Sequence, residues 1–137
     1  MRYISGARIA AGEVISPLDV ERELVEINEQ LEKGTEQLVK HSERLAQVTI
    51  DYELRSAQAM LRAKGKSIDQ RKAEVLVAVE DLYREKVTLE AKVRLIRDCQ
   101  HDLRAMLEAV RSMGASVRSA MWNDGQGQGG GGQRRTS

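Results

Sequence analysis

The chain has 137 residues, about one small domain, with 31% charged residues, 41% hydrophobic residues and a net charge of +1. Aromatics make up only 3% (Tyr3, Tyr52, Tyr83 and Trp122, with no Phe). That excludes a globular core anchored on several aromatic rings, each of which buries roughly 150–250 Å². One proline, Pro17, and only three glycines away from the termini, Gly34, Gly65 and Gly114, leave too few turn signals for a sandwich or barrel and point to long helices.

Residues 1–16 are mildly apolar, punctuated by Gly6 and Gly12. They lack the apolar stretch of a signal peptide and read as an N-terminal arm, a strand pair or a packing tail. Ser16-Pro17-Leu18-Asp19 spells a helix start. Ser16 can cap, Pro17 suits the first helical position, and Asp19 complements the positive end of the dipole. From there to about Arg62 the pattern is helical, ~69 Å of helix at 1.5 Å per residue. Leu24, Leu31, Leu38, Leu45, Tyr52 and Ala59 recur every seven residues. Ile27 and Val48 belong to a companion series, interrupted by Gly34, His41 and Arg55.

Ala63-Lys64-Gly65-Lys66 breaks the pattern. Ser67 to Gln70 then spells a capping box, in which the Ser hydroxyl takes the N3 amide and the Gln side chain reaches back. A second helix is expected from here to about Met121. Its seam is Val75, Leu82, Leu89, Ile96, Leu103, Val110 and Val117, with Val79, Lys86, Val93, Gln100, Leu107, Gly114 and Met121 as companions. Leu76, Tyr83, Val87, Cys99, Met106 and Met113 widen its apolar face beyond what one neighbour covers. Residues 123–137, with six glycines and no apolar side chain, are expected to be a disordered tail.

The expected architecture is all-α: two long helices in a coiled-coil hairpin, spanning residues 17–122, that self-associates into an oligomeric bundle or ring. No run of ~18 apolar residues offers a membrane span. The single cysteine, Cys99, rules out an intramolecular disulfide and fits a reducing cytoplasm.

Charge is strongly zoned. Residues 17–54 hold ten acids and four bases, whereas residues 55–72 hold Arg55, Arg62, Lys64, Lys66, Arg71 and Lys72 against Asp69 alone. These six bases around a glycine turn form either a cationic patch for phosphates, with salt-dependent affinity, or a solvated turn. A ladder of Arg97, Arg104, Arg111 and Arg118, spaced by sevens, fits ion pairs to glutamates of the first helix, or contact with nucleic acid. Catalysis has no support. Asp98, Cys99, His101 and Asp102 match no zinc spacing, His41 reads as a register-setting polar seam residue, and two histidines build no nucleophile–base pair. The glycine run of the tail lacks the Lys-Ser/Thr of a P-loop. No enzyme activity, metal or cofactor is expected.

The stretch Leu107-Glu108-Ala109-Val110-Arg111-Ser112-Met113-Gly114-Ala115-Ser116-Val117-Arg118 resembles the C-terminal helix of the UvsY-like phage recombination mediators. Leu54-Arg55 through Gly65, then Ser67, Arg71 and Lys72-Ala73-Glu74, resembles that family's basic segment, glycine turn and re-entry into helix. The similarity covers roughly residues 40–122. It implies a helical ring oligomer in the bacterial host cell that binds single-stranded DNA without sequence preference. Such a protein helps a RecA-type recombinase replace the single-strand-binding protein. Arg55, with Arg62, Lys64 and Lys66 nearby, falls in the DNA-binding segment, and Leu107, Val110, Gly114 and Val117 fall in the assembly helix. The chain departs from the family in having Met60 and Leu61 where the basic segment carries tyrosines, and in its glycine-rich tail. Two other functions fit the residues alone: a coiled-coil structural component of a virion, and a prefoldin-like helical adaptor.

Overall fold

A computed structural model describes residues 16–129, and side chains as far as residue 125. The described part is all-helical, without strands. Three helices follow one another: α1, Pro17–Arg62; α2, Ile68–Ala78; and α3, Glu80–Gly129. The N-terminal arm expected over residues 1–16 lies outside the described residues except for Ser16.

The start of α1 follows from its first four residues. Ser16 Oγ accepts from the Asp19 amide at 3.2 Å, and Asp19 Oδ2 accepts from the Ser16 amide at 3.2 Å and from the Ser16 hydroxyl at 2.9 Å. Two orphan amides of the first turn are thereby satisfied reciprocally. Pro17 costs nothing at its position, since its missing N–H would have no intrahelical partner.

The long second helix expected from the heptads is instead two. Val79 separates α2 from α3 with φ −114° and ψ 18°. Its amide still donates to the Val75 carbonyl at 3.1 Å, and its carbonyl accepts from Tyr83 at 2.9 Å, so the break is local. No proline or glycine causes it. Val75, Val77 and Val79 are β-branched residues, which lose side-chain freedom in a helix and weaken the ladder there. At the far end, α3 runs on to Gly129, past the expected stop near Met121. Residues 123–129 of the expected disordered tail are therefore helical. No proline halts the helix, and its backbone bonds simply continue. A side chain at Gly125 would meet nothing within 4 Å, so this extension has no tertiary support there. The rest of the tail lies outside the described residues.

Two compact units share α1 and α3. Unit 1 holds α1 up to Leu31 and α3 from Asp102 onward. Its core is Val20, Ile27, Leu103, Leu107 and Val110, with Leu24, Leu31 and Met106 packed against it. Gly114 lets the helices approach closely: a Cβ there would stand 2.9 Å from Val20 Cγ1. Unit 2 spans Glu32–His101 and buries Val48, Val79, Leu89, Val93 and Gln100. Its contacts run in opposite directions along α1 and α3, from Gly34 beside Gln100 to Arg44 bonded to Glu85 to Tyr52 beside Tyr83.

Along α1 the companion series is the deeper one. Val20, Ile27 and Val48 of α1 are buried, while Leu24, Leu31, Leu38 and Leu45 are half-buried. The polar gaps of that series complete one another. Gln100, 4% exposed, occupies the space left by the absent side chain of Gly34 and donates from Nε2 to Thr35 Oγ1 at 3.0 Å. Lys86 places its ammonium 5.0 Å from the centroid of the Tyr52 ring, a cation–π contact that makes a lysine tolerable at a seam position.

These contacts separate two glycine substitutions. Gly114→Val drives a branched side chain into Val20 and is expected to cost about 1–3 kcal/mol. Gly34→Ala gains about 1 kcal/mol of helix propensity but sets its Cβ 3.2 Å from Nε2 and 3.3 Å from Cγ of the buried Gln100, at the expense of the bond to Thr35, so it is expected to stay within about 1 kcal/mol of wild type. Urea unfolding at one fixed protein concentration checks both.

Candidate nucleic-acid interface

The five residues between α1 and α2 form a turn built around one carboxylate. Glu74 Oε2 accepts from the Lys64 amide at 3.0 Å and the Gly65 amide at 3.3 Å. Gln70 Oε1 accepts from the Lys66 amide at 3.0 Å, and the Gln70 amide donates to Ser67 Oγ at 3.1 Å. The Ser67 half of the expected capping box is present. The glutamine reaches one residue further back than expected, to Lys66 rather than to the cap residue itself. Three consecutive amides that no helix can satisfy thus find side-chain acceptors on α2. Gly65 is required by a close approach: a Cβ there would meet Gln70 Cβ at 2.8 Å and the Arg71 amide nitrogen at 3.0 Å.

This turn brings part of the expected cationic patch together. Arg55, Arg62 and Lys64 line one open groove of about 440 Å³ in unit 2, with Glu74 at its edge and Ala59, Ala78 and Val79 among its walls. Lys66 and Lys72 are exposed and Arg71 is half-buried, all outside that groove. Arg71 folds back, its Nε 3.5 Å from the Ser67 carbonyl at the start of α2. The side chains of Arg55, Arg62, Lys64, Lys66 and Lys72 make no ion pair or hydrogen bond among the described residues. Three bases elsewhere in the unit are paired with acids: Arg44 binds Glu85 at 2.7 Å, Arg84 binds Glu80 at 2.8 Å, and Lys86 lies 3.9 Å from Glu90.

The arginine ladder is exposed at all four positions. Arg111 binds Glu108 on its own helix at 2.9 Å, and no ion pair from the ladder to α1 occurs among the described residues. The expected interhelical pairing is thus corrected to an intrahelical one at Arg111. Side chains that flank a seam have an i,i−3 neighbour always within reach, at less entropic cost than a partner on another helix.

Two apolar surfaces of unit 2 lie uncovered. One was expected at Leu76, Tyr83 and Val87, which with Val77 line a groove of about 670 Å³ and are 43–75% exposed. The other is absent from the heptad reading. Ile50, Leu54 and Leu61 stand 52%, 60% and 88% exposed, on the side of α1 turned away from Val48 and Tyr52. The i, i+4, i+11 spacing of these three residues was its only available signal.

Among the described residues, no group of three or more His, Cys, Asp or Glu side chains could hold a metal ion. No helix among them is long and apolar enough to cross a membrane. No protein-family model matches the chain, and no curated protein or solved structure matches it either.

The turn geometry makes Gly65 its least replaceable residue. Gly65→Ala is expected to destabilise the chain by about 1–3 kcal/mol and to speed hydrogen exchange at the Lys64 and Gly65 amides, while α1 amides near Val48 keep their protection. Exchange followed residue by residue checks this.

Proposed function

We propose that this chain is a recombination mediator of the UvsY-like kind. In this reading the helices form a coiled-coil hairpin, copies assemble into a ring, and the ring binds single-stranded DNA through its backbone. The observation that carries the reading is the convergence of Arg55, Arg62 and Lys64 on one open groove with no acid paired to any of them. Guanidinium and ammonium groups left unpaired are the groups from which phosphates release counterions.

The mechanism is electrostatic. One groove holds a few phosphates weakly. Copies arranged around a ring present the groove repeatedly, and linked weak sites bind far more tightly than any one alone. A strand wrapped on such a ring becomes accessible to a RecA-type recombinase as the single-strand-binding protein leaves. Assembly is favoured by the uncovered faces at Ile50, Leu54 and Leu61 and at Leu76, Val77 and Val87, since apolar area removed from water is worth roughly 25 cal/mol per Å². No covalent step occurs, and the protein acts in the cytoplasm of a bacterial host.

The test combines light scattering with fluorescence anisotropy on labelled oligo-dT. Wild-type protein is expected to be oligomeric and to lose affinity steeply between about 50 and about 200 mM salt. Arg62→Glu combined with Lys64→Glu is expected to weaken binding at least tenfold at low salt without changing the mass. An unchanged affinity removes the groove from the reading. An oligomer that ignores oligo-dT leaves the virion structural component and the prefoldin-like helical adaptor as the surviving descriptions.

A further inference from the structure

Glu74 is a carboxylate in the wrong place for a purely cationic surface. Its Oε2 sits on the Lys64 and Gly65 amides at the edge of the groove lined by Arg55, Arg62 and Lys64. None of these side chains comes within ion-pair distance of it. Two neighbouring backbone N–H groups aimed at one oxygen form an anion-binding concavity. An oxygen of a phosphate would make the same two contacts that the carboxylate oxygen makes now. A neutral glutamine could hold the turn as well, because its amide oxygen accepts the same bonds. The glutamate adds a negative charge facing the space that a phosphate would enter.

We propose that the turn and groove together are a phosphate seat, and that Glu74 is its built-in competitor. The carboxylate holds the two amides when the groove is empty. A phosphodiester takes Arg55, Arg62 and Lys64 and contests the amides with Glu74, so the glutamate keeps each single seat weak. Weak single seats make retention depend on several seats acting at once, which lets a strand be handed on rather than trapped. The identity of the ligand as nucleic acid rests on the function proposed above; the anion seat itself does not.

The experiment compares wild type, Glu74→Gln and, as a charge control on α3, Glu90→Gln. Binding of oligo-dT is read by anisotropy and binding of tripolyphosphate by calorimetry, each at about 50 and about 200 mM salt. Hydrogen exchange at the Lys64 and Gly65 amides reports the turn. Glu74→Gln is expected to bind both probes about three- to tenfold more tightly at low salt, with the gain shrinking at high salt, where the Debye length falls below ~10 Å. Glu90→Gln is expected to bind as wild type does. No tightening in Glu74→Gln, or equal tightening in Glu90→Gln, overturns the competitor. Weaker binding together with fast exchange at the two amides also overturns it, and reduces Glu74 to a clamp for the turn. Tighter tripolyphosphate binding in a chain that ignores oligo-dT upholds the seat and removes the nucleic acid.

Discussion

Each unit is held by a single layer of aliphatic side chains between two helices. Leu103 in unit 1 and Val48 in unit 2 are the most completely enclosed. A helix with one neighbour buries one stripe. Burying a leucine or valine side chain fully is worth about 1.5–3 kcal/mol, and few positions here reach that limit. Local features must therefore contribute a large share of what holds the chain: the reciprocal cap of Ser16 and Asp19, the closely packed Gly114, and the Gln100–Thr35 bond. The same thinness explains why apolar residues remain on the outside.

The turn concentrates this logic into a few residues. Amides that helices leave unsatisfied need acceptors, and the cap residue Ser67 with Gln70 and Glu74 of α2 supplies them. The order this imposes places Lys64 beside Arg55 and Arg62. Structural need and charge placement thus meet in one carboxylate. Elsewhere in unit 2, Arg44, Arg84 and Lys86 lie against nearby acids. What marks the groove is the convergence of three unpaired bases on one open space beside the turn.

Much of this could be read before any coordinates. Ser16-Pro17 and the glycine at position 65 announce the limits of α1 and the turn, because capping and close approach are written in residue type. The heptads announce helices. The break at Val79 was not readable, because it carries no proline or glycine and β-branched residues are common in helices. The partnership of Gly34 with Gln100, and of Lys86 with Tyr52, was hidden for a different reason. Periodicity orders residues along one helix, whereas the register across two helices decides which gap meets which side chain. Glu74 was invisible as part of the groove because its role depends on amides ten residues earlier in sequence, brought near by the turn. The outer stripe of Ile50, Leu54 and Leu61 was masked by the stronger seam on the same helix.

The positions of the aromatic rings carry an optical consequence. Trp122, the sole indole, lies exposed in unit 1, whereas Tyr52 and Tyr83 face each other in unit 2 with centroids 6.0 Å apart. Red-edge excitation therefore illuminates unit 1 alone, while far-ultraviolet dichroism averages over every helix. Melting curves recorded by the two methods coincide only when the whole chain unfolds as one cooperative species. A gap between them would give each half of the molecule its own temperature.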